Sequence, residues 1–192
     1  MKMIFVSGVA ESGKDTLLDL ALRGSKKFLP PYERVNLDEI LEEFVERSDD
    51  GVWDVPNIDE CKRLQKNLYQ RLEEILIEKM RLERNIIVNG YFEVKTKPGY
   101  VPLLDERFFQ KFRIDAIIFV SFKEEMSEIT KTKVFGDSKG FEEAKRRQDM
   151  NRSLAVEYSG LSGALLKIIE VDLEDVKKTV KDMIDALGVC MR

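Results

Sequence analysis

Three observations predict an α/β fold built on a mostly parallel sheet. Short β-branched or aromatic runs alternate with longer helix-periodic runs along the whole chain, and such alternation covers a sheet with helices on both faces, giving three layers. The first apolar run, Met3–Val6, passes straight into the glycine-bearing loop Gly8-Val9-Ala10-Glu11-Ser12-Gly13-Lys14-Asp15-Thr16 and then into a helix-periodic segment. No repeat, low-complexity tract or linker interrupts the 192 residues. A single domain over 1–192 with a sizeable core is expected.

Each element has a local reason. Strands are expected at Met3–Val6, Arg34–Asn36, Asn85–Asn89, Ala116–Phe122 and Leu166–Val171, all short and apolar or β-branched. The helix over Lys14–Arg23 follows from Leu17, Leu18, Leu20 and Ala21. A second helix is expected over Leu37–Arg47, capped by Asn36 or Asp38. In a third, Ile58–Leu82, the residues Leu64, Leu68, Leu72, Ile75 and Leu76 recur at helical spacing and make a core stripe. Two more helices are expected at Glu142–Tyr158 and Leu173–Leu187, the latter stopped by Gly188. Ser48–Pro56, with its lone Trp53, and Ile129–Gly140, with Lys131, Lys133 and Lys139, lack a pattern. They read as surface loops or as flaps over a ligand. In a parallel sheet ligands sit at the carboxyl ends of the strands, which gathers Thr16, Asn36, Asn89 and Phe122.

The loop Gly8–Thr16 has the composition of a phosphate-binding P-loop. Its glycines let backbone N–H groups turn inward, and the helix that follows adds partial positive charge at its N-terminus. Lys14 is positioned for the β- and γ-phosphates of a nucleotide, and a hydroxyl just beyond it for Mg²⁺. Here Asp15 separates Lys14 from Thr16, a spacing like the Gly-Lys-Gly-Thr form of nucleoside monophosphate kinases.

Composition removes other chemistries. There is no histidine, so histidine triads, bases and metal ligands are excluded. Cys61 and Cys190 lie far apart and form no metal pattern. The net charge is -4, with Lys and Arg interleaved among Asp and Glu, so no nucleic-acid surface is expected. Lys145-Arg146-Arg147 reads as a mostly solvated helix face. No apolar stretch approaches the roughly 20 residues of a membrane span, and the interrupted N-terminal run is no signal peptide. A cytoplasmic protein is expected.

Beyond the loop, four pieces in order resemble the archaeal-type adenylate kinases over almost the whole length. They are Asp59-Glu60-Cys61-Lys62-Arg63-Leu64, Lys95-Thr96-Lys97-Pro98-Gly99-Tyr100-Val101-Pro102, Gln148-Asp149-Met150-Asn151-Arg152, and Gly160-Leu161-Ser162-Gly163-Ala164 leading to Lys167-Ile168-Ile169. The resemblance implies a three-layer P-loop kinase fold with a five-stranded parallel sheet flanked by helices, a monophosphate-binding region at about 36–82 and a lid at about 127–141. It implies phosphoryl transfer from MgATP to AMP by a cytoplasmic enzyme, a trimer in some of the family. Lys14 and Arg152 would be catalytic and Thr16 would meet Mg²⁺. Asp38, Lys62, Lys95, Thr96 and Tyr100 would face the acceptor, and Lys131 and Lys133 would belong to the lid.

The chain also departs from that family. Its third strand ends in neutral Asn89 where the family carries Asp, so Asp15 or Glu93 would have to supply the carboxylate. Its lid segment holds lysines and no arginine; lysine offers a point charge where arginine offers a two-pronged fork. Arg146, Arg147 and Arg152 could supply the missing guanidinium groups. Three functions remain open at this point: an AMP-preferring kinase, a kinase for another (deoxy)nucleoside monophosphate or small acceptor, and a nucleotide-binding regulatory protein with little turnover.

Overall fold

The computed structural model describes residues 1–48 and 51–191; Asp49 and Asp50 of the expected loop, and Arg192, lie outside the described residues. Strand β1 (Met3–Gly8) runs through the loop into helix α1 (Lys14–Ser25). There follow β2 (Tyr32–Asn36), α2 (Leu37–Glu42), α3 (Ile58–Met80), β3 (Asn85–Asn89), a hairpin of β4 (Glu93–Lys95) and β5 (Tyr100–Pro102), and α4 (Glu106–Lys111). The chain continues as β6 (Ala116–Phe122), α5 (Glu128–Phe135), α6 (Ser138–Ser162), β7 (Leu165–Val171) and α7 (Val176–Cys190).

The main sheet has five strands in the order β2-β3-β1-β6-β7, and every pairing in it is parallel. It separates two apolar clusters. One contains Leu64, Leu68, Leu72 and Leu76 of α3 with Phe108, Phe109 and Tyr158. The other contains Leu17, Leu18 and Ala21 of α1 with Met183, Ala186 and Leu187 of α7. A smaller third cluster gathers Val9, Phe122 and Ala144 with partly buried Phe135 and Phe141. No helix among the described residues is long and apolar enough to cross a membrane.

Several boundaries differ from expectation for physical reasons. α2 stops at Glu42 because the chain turns and Arg47 pairs in an antiparallel bridge with Trp53. α6 starts earlier, at Ser138, because the Asp137 side chain accepts from the Gly140 N–H and caps it; it ends on left-handed Gly163, φ 68°. Gly188 does not stop α7, which runs on to Cys190 because Cys190 and Met191 are buried against the second cluster. Ile129–Gly140 holds α5, capped by Ser127, although its few apolar residues gave no periodic signal. Arg147 is not on a solvated face: it is 9% exposed.

Candidate active site

The loop owes its shape to its glycines, Gly13 through its backbone conformation and Gly8 through close packing. Gly13 is left-handed, φ 69°, a conformation that costs any other residue. A Cβ on Gly8 would strike the carbonyl oxygen of Val120 on β6, so the loop presses on its neighbouring strand. Between them Ala10–Ser12 form one 3₁₀ turn, and the Ser12 hydroxyl donates to the Val9 carbonyl at 2.7 Å.

Lys14 opens α1 and is fully buried, 0% exposed. Its ammonium donates to Asp15 Oδ1 at 2.6 Å and to Asn89 Oδ1 at 2.9 Å, and lies 4.9 Å from the centre of the Tyr91 ring. The Asn89 amide closes the ring of contacts by donating to Asp15 Oδ1 at 2.7 Å. Burial pushes the Asp15 carboxyl up, but the Lys14 charge and the Asn89 and Lys14 hydrogen bonds outweigh it and hold the group below its ordinary value. Of the two acids that could stand in for the missing strand-3 carboxylate, Asp15 is therefore the one that meets Asn89.

Glu93 is engaged elsewhere. It is 0% exposed, and its Oε1 accepts from Arg147 Nε at 3.1 Å and Asn151 Nδ2 at 2.9 Å, while Oε2 is buried without a partner. Around it the Gln148-Asp149-Met150-Asn151-Arg152 segment divides its labour. Gln148 exchanges two hydrogen bonds with the backbone of Phe122, fixing α6 on the end of β6. Asn151 accepts from the Phe92 N–H at 3.2 Å. Arg152 has no carboxylate within 4 Å among the described residues, and its Nε is buried and unpartnered. Arg146 is exposed and paired with Glu143.

On the β2 side, Asn36 rather than Asp38 caps α2, accepting from the Asp38 N–H at 3.0 Å. Asp38 Oδ1 is buried with no hydrogen bond. Burial, only partly offset by Lys14, pushes its carboxyl up to about 6. Tyr91 is likewise driven above its ordinary range, by burial and by the nearby Asp38 and Asp15 charges.

The other expected acceptor residues are not all free. Lys95 Nζ donates to Glu143 Oε1 at 2.9 Å, and the Tyr100 hydroxyl donates to the same oxygen. These bonds hold the Glu143 carboxyl down at about 2, and burial and Glu143 raise Tyr100 to about 12. The Thr96 hydroxyl is turned back to the Gly99 carbonyl of its own hairpin. Lys62 stands on an exposed face of α3. In α5, Lys131 pairs with Glu128 at 2.8 Å and lies over the Phe141 ring; Lys133 is exposed. The residues that went unread are Glu143, hidden within an ordinary charged helix face, and Arg47, which follows a short helix and carries no motif.

No group of three or more acids, cysteines or histidines among the described residues could hold a metal alone. The Thr16 hydroxyl and the Asp15 carboxylate are hard oxygen donors beside Lys14, the donor chemistry that suits a Mg²⁺ ion arriving on phosphate oxygens.

A parallel five-stranded sheet with a lysine-bearing phosphate loop at its carboxyl end defines a P-loop phosphotransferase. A family model described as an AAA domain matches residues 7–146. Over 170 residues the chain is 30% identical to an adenylate kinase of Thermoplasma volcanium, covering 86% of this chain and 88% of that protein. Over 189 residues it is 27% identical to an adenylate kinase of Methanothermobacter thermautotrophicus, covering 95% and 97%. The solved thymidylate kinase of Candida albicans shares the fold, with a TM-score of 0.54 and 12% identity over 100% of this chain and 93% of that one. The chain belongs to the adenylate kinase family, as a divergent member.

Proposed function

We propose that the protein transfers the γ-phosphoryl group of ATP to a nucleoside monophosphate, AMP in the first instance. The observation that carries this reading is Lys14, fully buried with its ammonium at the ends of β1 and β3. A buried cation at that place has no structural need that an apolar residue would not meet better, and it faces the position that a P-loop gives to phosphate.

Phosphoryl transfer needs positioning and charge neutralisation, and no strong general base, so a chain without histidine can perform it. Lys14 leaves Asp15 and Asn89 to grip the transferring group, and the backbone of Gly8–Thr16 cradles the donor phosphates. Arg152, with no carboxylate within 4 Å among the described residues, supplies the guanidinium for charge that spreads over the phosphoryl oxygens. Thr16 and Asp15 hold Mg²⁺, which when bound neutralises phosphate charge. Residues 36–82 take the acceptor and 127–141 act as a lid. A cytoplasmic enzyme and a homo-oligomer, trimeric on the family resemblance, belong to the same proposal.

One observation favours a second reading. Asn89 is neutral and α5 contributes neither an arginine nor a buried residue, which suits a nucleotide-binding regulatory protein with slow turnover. A coupled ADP-formation assay with MgATP against AMP, CMP, UMP, GMP and deoxynucleotides separates the two. Acceptor-dependent turnover that Lys14→Met abolishes supports the kinase; ATP binding without turnover on any acceptor supports the regulator. Turnover that survives Lys14→Met would sink the assignment of the loop.

A further inference from the structure

We propose that Arg47, presented on the face of Trp53, is the guanidinium that receives the acceptor's phosphate; this deepens the kinase reading and rests on it. Most cations of the acceptor half are already neutralised. Lys95 is bound to Glu143, Arg147 to Glu93, Lys97 to Asp54 and Arg63 to Glu60. A phosphomonoester dianion would have to break one of those bonds before using the cation.

Arg47 differs from them. It has no carboxylate within 4 Å among the described residues, and its guanidinium carbon lies 5.7 Å from the centre of the Trp53 ring. Stacking on an aromatic face orders a guanidinium without cancelling its charge, and leaves the planar fork of N–H donors free for two phosphoryl oxygens. The platform is firm. Trp53 is 2% exposed, its backbone N–H donates to the Lys95 carbonyl at 2.9 Å, and the Asp54 backbone N–H donates to the Glu46 carbonyl at 2.9 Å. The strand-like bridges Arg47–Trp53 and Trp53–Thr96 thus tie the residue to the β4–β5 hairpin.

Arg47 also acts on the groups around Lys14. Asp38 and Tyr91 each feel the Arg47 charge, while Lys14 acts on Asp38 and stands over the Tyr91 ring. Through the Trp53–Thr96 bridge Arg47 is joined to the hairpin that carries Lys95, Thr96 and Tyr100, the residues expected to face the acceptor. Lys62 is exposed like Arg47 and also has no acid partner among the described residues, but it is a lysine, and among those residues no aromatic ring lies beneath it.

Trp53 is the chain's single tryptophan, so its emission reports on this platform directly. AMP titrated into the protein without ATP should change that emission saturably, while adenosine should not. Arg47→Lys should weaken AMP binding, measured in parallel by calorimetry, by about 10-fold and Arg47→Gln by about 100-fold, in keeping with the loss of a bidentate charged contact. The acceptor KM should rise by the same factors with the ATP KM unchanged, and a retained ATP-induced thermal shift shows that the variants are folded. AMP binding and KM within twofold of wild type in Arg47→Gln would overturn the proposal, as would a comparable loss in Lys95→Ala or Lys62→Ala alone. Wild-type protein that neither binds nor phosphorylates any nucleoside monophosphate would overturn the kinase reading and this proposal together; wild-type turnover with indifferent Arg47 variants would overturn this proposal only.

Discussion

Asp38 is the residue whose surroundings fit its chemistry least. Its Oδ1 is buried with no donor, and burial raises its carboxyl from 3.8 to about 6. A folded-state value above the unfolded one means that the folded protein binds the extra proton between those two values. Stability attributable to Asp38 therefore rises as pH falls from about 6 to 3.8, and the full penalty of the ionised form is present above 6. Asp38→Asn should stabilise the protein at pH 7.5 by about 1–3 kcal/mol, and the gain should vanish by pH 4; urea unfolding of both proteins across that range checks it. A gain that persists at pH 4 would mean that the effect is not one of ionisation. Residues such as Lys14, Asp15 and Asn89 could be read from the sequence as members of one site because a motif and a strand end fix them. Arg47 and Glu143 could not, because their roles come from Trp53, Lys95 and Tyr100, which are brought to them only by tertiary contacts.

At the level of elements, the strands and long helices were legible where one period dominated. β3 and β6 fall on the expected residues, Asn85–Asn89 and Ala116–Phe122. The stripe on α3 packs as its spacing implies, with Leu68, Leu72 and Leu76 all at 0% exposure. Leu68→Ala should therefore cost about 2–5 kcal/mol, as deletion of a close-packed leucine does, with thermal denaturation as the measure; a loss below about 1 kcal/mol would show that the helix collapses into the space. The short α2 was legible together with its Asn36 cap, though it ends at Glu42 rather than at Arg47; the hairpin β4–β5 and the short α4 and α5 were not legible as elements. Their three to eight residues are too few to display a period, and they are held by caps and by neighbours: Asp105 caps α4 through the Phe108 N–H, and Trp53 docks on the hairpin backbone.

Across the whole molecule two large apolar clusters lie on either side of the sheet, and the segment over 127–141, proposed above as a lid, contributes to neither. α5 buries no residue; it rests on the small cluster of Phe122, Phe135 and Phe141 and on a few exposed hydrogen bonds such as Thr130 to Glu174. Stability is then unevenly spread, and amides of α5 should exchange with solvent orders of magnitude faster than those of α6 between Ala144 and Ala155. Equal protection of the two helices would contradict that picture. If 127–141 closes over the site as proposed, so weakly held a cover predicts that the slow event of each cycle is the escape of product past it. Its motion drags solvent, so turnover would fall in proportion as sucrose thickens the medium, while an equally crowding but less viscous solute would leave the rate alone.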